Sequence, residues 1–290
     1  MRVGCIDIGS NTTRLLVADC EGKRLVEVHQ ERAFTRIGQE LTASGTIGGE
    51  KIAEVVAVVL AQLAIARDHG AAEVRGVATA AIRSADNGGQ LVAAIRSASG
   101  LTVEILSGEE EARLAFVGAA AMLELPPSGE LGVIDVGGGS SELVVGSVPD
   151  RIGWWASVAL GSGALTDRCL SSDPPSAREL AAAQADIADA LAGLRPPRPA
   201  LAVAVGGSAT SLGRLAGPVL DAASLGRSLR LLADESSSKI AERFMIDVQR
   251  VRLLPAGLLI LEAIATLLGT TLRVGRGGIR EGLLLEAPQR

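Results

Sequence analysis

Val3-Gly4-Cys5-Ile6-Asp7-Ile8-Gly9-Ser10-Asn11-Thr12-Thr13-Arg14-Leu15-Leu16-Val17 is matched, 128 residues further on, by Leu131-Gly132-Val133-Ile134-Asp135-Val136-Gly137-Gly138-Gly139-Ser140-Ser141-Glu142-Leu143-Val144-Val145, without a gap. Each copy is an apolar run ending in an aspartate, a turn of small and polar residues, and a second apolar run. That pattern reads as a β-hairpin. Asp7 aligns with Asp135 and Gly9 with Gly137, while Arg14 becomes Glu142, so one position changes sign. A hairpin written twice predicts two related domains.

The surrounding sequence extends each hairpin in the same way. In the first half, strands are expected at 2–8, 13–19 and 24–34, then a loop over 35–50. Ile52, Val55, Val56, Val59, Leu60 and Leu63 recur at helical spacing, so 50–68 predicts an amphipathic helix. A strand at 74–78, a helix at 88–98 ending at Gly100, a strand at 103–106 and a helix at 108–123 follow. Pro126-Pro127-Ser128-Gly129 breaks the pattern. The second half predicts the hairpin at 131–146, a strand near 152–159, a helix at 176–194, a strand at 200–205 and helices to the end. Arg195-Pro196-Pro197-Arg198-Pro199 reads as a stiff connector. Strands alternating with helices in two similar halves imply an α/β protein with a cleft between two domains. The predicted domains are 1–124 and 125–290, with the last helix free to pack back on the first.

Composition narrows the partners. A chain of 290 residues suits two domains, and 48% hydrophobic residues supply ample core. Aromatics are 2% with no tyrosine, which argues against stacking-based binding of single-stranded nucleic acid. A net charge of −5 gives no overall attraction to DNA or anionic membranes, so a polyanionic ligand must be held by local arginines and backbone amides. Three cysteines (Cys5, Cys20, Cys169) do not suggest a disulfide framework. The chain reaches Asp7 with no signal-like apolar segment, and its apolar stretches near 52–66 and 257–268 carry Glu54 and Glu262 and are too short to span a bilayer. A soluble cytoplasmic protein is expected. His29 and His69 have no Cys or His neighbour at ligand spacing and read as structural or exposed.

A strand entering a Gly/Ser/Thr turn presents backbone N–H groups that can cradle an anion, and the glycines at 137–139 permit close approach. One such turn alone is as readily an ordinary hairpin; two in register, each with an aspartate at its mouth, weigh against that. Two facing loops could hold a polyphosphate from both sides, a cation on one wall and a carboxylate on the other. A third turn, Val205-Gly206-Gly207-Ser208-Ala209-Thr210, opens a helix whose N-terminus could bind an anion, although a plain strand–helix turn explains it equally well.

Five segments in order resemble the exopolyphosphatase/guanosine pentaphosphatase (Ppx/GppA) family. They are Asp7-Ile8-Gly9-Ser10-Asn11 with Arg14-Leu15-Leu16, Ala78 to Asn87, Ser107-Gly108-Glu109-Glu110-Glu111-Ala112-Arg113-Leu114, Asp135 to Glu142, and Gly278-Ile279-Arg280-Glu281-Gly282. The resemblance spans nearly the whole chain. It implies two ribonuclease H-like domains of the actin-like superfamily, and hydrolysis of the terminal phosphate of inorganic polyphosphate. In some members the substrate is instead the 5′ γ-phosphate of guanosine pentaphosphate (pppGpp).

Hydrolysis of a phosphoanhydride needs an in-line water, a group to orient or deprotonate it, and positive charge on the phosphoryl oxygens. The resemblance gives Glu111 the catalytic role of positioning that water or taking its proton; Glu109 and Glu110 read as a solvated helix start. Asp135 and Glu142, with Asp7 joining through a water, are the expected metal ligands, and hard carboxylates at a phosphate site suit Mg²⁺, with Mn²⁺ as the alternative; each could instead cap a turn. Arg14, Arg83 and Arg280 are the expected phosphate cations, with Arg36 a weaker candidate. Ser10, Asn11, Thr12, Gly137, Gly138, Gly139, Ser140, Ser141, Gly207 and Ser208 complete the expected phosphate contacts.

The chain departs from the family's pattern in places. Asn11-Thr12-Thr13-Arg14 stands where relatives commonly carry Ser and then an apolar residue, and Ser140-Ser141-Glu142 replaces Ser-Thr-Glu. Many relatives carry a further helical HD-like domain after the Gly-Ile-Arg-Glu-Gly motif, and a short form favours short polyphosphates. Competing expectations are a pentaphosphate phosphatase, an actin-like kinase or filament protein, and a non-catalytic polyphosphate sensor. The apolar helices 50–68 and 256–268 could be core or the face of a homodimer.

Overall fold

The computed structural model describes residues 1–286, with the side chains of residues 42 and 43 outside the description; the last four residues of the predicted second domain therefore lie beyond it. The chain divides into two compact units, Met1–Ala121 with the segment from Gly278 on, and Met122–Gly277.

The first unit is built on a five-stranded sheet in the order β3-β2-β1-β4-β5. Its elements are β1 (Arg2–Ile8), β2 (Thr12–Glu21), β3 (Arg24–Phe34), α1 (Ile37–Ser44), α2 (Gly49–Asp68), β4 (Glu73–Ala78), α3 (Ala80–Ser84), α4 (Gly88–Ser99), β5 (Val103–Ile105) and α5 (Gly108–Ala121). β2 runs antiparallel to both neighbours, while β1, β4 and β5 are parallel. This order, with strand 2 reversed, is the ribonuclease H-like arrangement. The helical periodicity of α2 turns Val55, Val59, Leu63 and Ala66 into the core with Ile6, Ile8, Leu15 and Val17. The opposite face of the sheet buries Val3, Cys5, Leu16 and Val77 against α5 and the C-terminal helix, Ile279–Leu285.

The second unit repeats the plan. Its elements are β6 (Leu131–Val136), β7 (Ser141–Ser147), β8 (Arg151–Val158), α6 (Ser162–Cys169), α7 (Ala177–Leu191), β9 (Leu201–Val205), α8 (Gly206–Ala216), β10 (Val219–Leu220), α9 (Ala222–Asp234), α10 (Ser237–Phe244), α11 (Val248–Val251), α12 (Leu254–Leu268) and β11 (Leu272–Val274). The sheet order is β10-β11-β9-β6-β7-β8, the same five-strand core with one added edge. A Ser176–Glu179 capping box starts α7, and an Asp221–Ser224 pair does the same for α9. Ten residues of α12 are buried, so this apolar helix is the centre of the second core.

Several sequence expectations are corrected. The stretch 35–50 is not all loop: α1 forms there, started by Arg36 in a left-handed conformation (φ 48°) that sequence rules reserve for glycine. The short helices α3 and α6 were too brief to show a period. β10 and β11 interrupt the expected helical run to the end, because strands of two and three residues carry almost no alternation. The C-terminal helix packs back on the first unit, where Gly118 and Gly282 remove the side chains that would separate it from α5; a Cβ on Gly118 would sit 2.1 Å from the carbonyl oxygen of Gly278, and one on Gly282 2.1 Å from that of Leu114.

Candidate active site

In the first unit the parallel strands finish level. Ile8 of β1 pairs with Ala78 of β4, and Ala78 with Ile105 of β5. Three chemistry-bearing segments therefore leave one sheet edge, the carboxyl end where α/β sheets place their ligands. The first is the turn Gly9–Asn11. The second is Thr79, whose N–H bonds the Ile8 carbonyl at 3.2 Å, leading into α3 and Arg83. The third is Leu106, bonded to the Ala78 carbonyl at 2.9 Å, leading into α5 and Glu111.

Glu111 is 2% exposed and forms an ion pair with Arg83, whose guanidinium also donates to the Leu106 carbonyl at 2.6 Å. A carboxylate this buried needs such a partner, and losing the partner would leave an uncompensated buried charge. Glu110 is taken up differently: it pairs with Arg113, which also bonds Glu286 at the end of the C-terminal helix. Of the three consecutive glutamates, Glu111 is the one buried at the sheet edge.

The hairpin places Asp7 opposite Arg14. The Oδ1 of Asp7 is buried with no hydrogen-bond partner, and burial raises the pKa of its carboxyl, an effect opposed by Arg14 and Arg280. Arg14 Nε donates to Thr12 Oγ1 at 3.2 Å, and Arg280 Nη1 to the Leu15 carbonyl at 3.2 Å. The turn closes through Gly9 N–H to Thr12 O at 3.0 Å, and neither Ser10 nor Asn11 gives its backbone N–H to a backbone acceptor among the described residues. Asn11 adds a buried side-chain amide nitrogen without a partner. Asp7, Ser10, Asn11, Thr12, Arg14 and Arg280 thus come together, with Arg83 and Glu111 on the same edge.

The second hairpin reproduces this geometry with the charge inverted. Gly137 N–H bonds Ser140 O at 2.9 Å, and the N–H groups of Gly138 and Gly139 bond no described backbone acceptor. Asp135 stands opposite Glu142 across the ladder. Side chains so paired lie about 5 Å apart, and like charges there repel. Glu142 is 3% exposed and accepts a hydrogen bond from Ser157 Oγ at 2.9 Å. Gly206, at φ 79°, leaves room for Asp135: a Cβ there would meet Asp135 Oδ1 at 2.3 Å. Two hard oxygen donors in mutual repulsion fit Mg²⁺, which takes one or two carboxylates and completes its shell with water and phosphate oxygens. Asp7 lies in the first unit. Among the described residues no three His, Cys, Asp or Glu side chains gather as metal ligands.

Some expected contacts have other work. Ser141 is fully buried and donates to the Leu160 carbonyl. Ser208 is 2% exposed, donates to the Val136 carbonyl at 3.1 Å and lies 3.3 Å from Ser162 Oγ. Both brace the second turn from behind, while Gly207 opens α8 beside Gly206. Sequence reasoning missed the start of α6: the N–H groups of Ser162, Gly163 and Ala164 hold the carbonyls of Gly137 and Gly138 at 2.9–3.0 Å. Gly161 makes this possible, since a Cβ there would strike the Gly138 carbonyl at 2.3 Å; the Gly161-Ser162-Gly163 run was the available signal. The rings of His29 and His69 stack with their centroids 4.2 Å apart.

A model of the Ppx/GppA phosphatase family matches residues 16–290. The chain belongs to the Ppx/GppA phosphatase family. Among curated relatives, exopolyphosphatase 1 of Mycobacterium leprae is 31% identical over 98% of this chain and 89% of that protein. Exopolyphosphatase 2 of Mycobacterium tuberculosis is 35% identical over 63% of this chain and 59% of its own length. The Aquifex aeolicus family member, 27% identical, superposes with a TM-score of 0.81 over 98% of this chain and 96% of that one. An exopolyphosphatase from Cytophaga hutchinsonii, 23% identical, has the same fold, at a TM-score of 0.88 over 100% of this chain and 99% of that one. Family membership makes the chain a phosphatase, and the α/β fold of two repeated sheets is the family's own.

Proposed function

We propose that the protein is an exopolyphosphatase that releases orthophosphate from the end of inorganic polyphosphate, one unit at a time. The observation that carries this reading is the Glu111–Arg83 pair on the sheet edge that bears the Gly9–Asn11 turn. A relative bearing the exopolyphosphatase name aligns with 98% of the chain, which supports polyphosphate as the substrate.

In this mechanism the backbone N–H groups of the Gly9–Asn11 turn, with Arg14 and Arg280, bind phosphoryl oxygens and neutralise their charge. Arg83 orients Glu111 and shares its guanidinium with the transferred phosphoryl group. Glu111 holds the attacking water in line and takes its proton as the water oxygen bonds the terminal phosphorus. The anhydride P–O bond breaks on the far side, and the electron pair leaves with the shortened chain. Asp135 and Glu142 would hold Mg²⁺, which would supply positive charge for phosphate oxygens.

Short chains are the proposed substrates. The binding groups are a few local donors in a molecule of net charge −5, so units beyond those contacts add repulsion rather than grip. Phosphate release from tri-, tetra- and long-chain polyphosphate, with guanosine pentaphosphate in parallel, tests the reading. Release that is faster from the short oligomers is the expected result; a preference for guanosine pentaphosphate, or release from neither, overturns it.

A further inference from the structure

We propose that Arg36, with the side-chain amide of Asn11, grips a second phosphoryl group of the substrate, the one adjoining the group transferred; this subsite rests on the polyphosphatase reading above. Arg36 is half-buried, and among the described residues its guanidinium has no hydrogen bond or ion pair, although five N–H donors are available on it. Its backbone sits at φ 48°, ψ 39°, a conformation that costs a non-glycine residue of order 1 kcal/mol or more. The strain is held in place by the phosphate turn itself. The N–H groups of Thr35 and Arg36 both donate to the Asn11 carbonyl at 3.1 Å, and Gly38 N–H donates to the Ser10 carbonyl at 2.8 Å. The hydroxyls of Thr13 and Thr35 meet at 3.1 Å and pin the same junction.

A second observation, independent of the backbone, points to the same ligand. Asn11 Nδ2 is enclosed and has no acceptor, a state buried donors rarely keep. An unpaired guanidinium and an unpaired amide on adjoining turns call for one anion with several oxygens. The nearest acid in α1, Glu40, already accepts the Gly48 N–H at 2.8 Å.

The two ends of the turn explain why this is the second phosphoryl site. The Gly9 end leans on Thr79, whose Oγ1 lies 3.8 Å from where a Gly9 Cβ would be, and Thr79 leads to Arg83 and Glu111. The Asn11 end leans on Thr35 and Arg36. The group to be hydrolysed belongs at the Glu111 end, so its neighbour falls at the Arg36 end.

The test compares wild type, Arg36→Gly and Arg36→Lys in steady-state hydrolysis of tripolyphosphate, in calorimetric binding of tripolyphosphate and of orthophosphate, and in thermal melting. Arg36→Gly loses the cation and relieves the strained backbone. Its KM for tripolyphosphate should rise about tenfold, with the change in KM rather than kcat, as expected for loss of one charge-assisted contact. Tripolyphosphate affinity should fall by a similar factor while orthophosphate affinity does not move, and the melting temperature should hold or rise. Arg36→Lys should recover part of the affinity. Unchanged tripolyphosphate KM and affinity in Arg36→Gly overturns the subsite, as does an equal loss for orthophosphate. A wild type that releases no phosphate, yet binds tripolyphosphate in an Arg36-dependent way, overturns the hydrolase reading and leaves the subsite standing.

Discussion

At the scale of single residues, two carboxylates have opposite problems. Glu111 is buried but paired, and its function requires that it stay ionised beside Arg83. Glu111→Gln keeps the shape and removes the base, so phosphate release should fall about 10²- to 10⁴-fold with the melting temperature little changed; retention of full activity would show that another group serves the water. Asp7 is disfavoured as an anion, chiefly by burial, and Arg14 and Arg280 only partly offset that. A raised pKa in the folded state means that the folded protein binds this proton more tightly than the unfolded chain does. Asp7 therefore weakens the fold as pH rises from the ordinary carboxylate range, about 4, through its raised value. Asp7→Asn should gain stability over wild type at neutral pH, the gain vanishing in acid, while activity drops; denaturant melts at pH 4 and pH 7 check both. The sequence marked these residues by motif, and the sign change from Arg14 to Glu142 was visible in it. That Ser141 and Ser208 face inward was not, because a hydroxyl beside a glycine turn reads identically whether it faces solvent or a backbone carbonyl.

At the scale of elements, glycines decide how closely helices approach the functional turns. The C-terminal helix carries Arg280 and lies backbone against backbone on α5, which carries Glu111. Gly282→Ala should cost about 1–3 kcal/mol through overpacking and lower activity by shifting Arg280. Gly89→Ala, in open space at the start of α4, is the matched control and should be neutral or mildly stabilising in the same urea titration. The second hairpin makes its own prediction. If Asp135 and Glu142 hold the metal, chelation abolishes phosphate release, Mg²⁺ restores it, and Glu142→Gln raises the Mg²⁺ concentration needed for half-maximal rate. Activity indifferent to chelator would remove the metal from that pair. The strands and longer helices were legible because apolar period and length are local properties. α3, α6, β10 and β11 were not, since each is too short to carry a period and forms because longer neighbours hold it.

At the scale of the whole molecule, charge and core set the remaining expectations. No described helix is long and apolar enough to cross a membrane. The most apolar helix, α12, is the heart of the second unit, where its neighbours are α6 to α9. With a net charge of −5, binding of a long polyanion should gain little from added length. Turnover per chain end should therefore be highest at a few phosphate units and fall beyond them; a rate that holds or climbs with chain length to hundreds of units at equal end concentration would contradict it. The amino-acid sequence by itself determined the duplication, the α/β class and the identity of the chemical groups, because hairpins and motifs are written in consecutive residues. Tertiary structure alone decided which unit owns the last helix, that Glu111 meets Arg83, and that Arg36 is bent against the phosphate turn. Those facts depend on strand order, on level strand ends and on glycine contacts between segments far apart in the chain, and no local pattern encodes them.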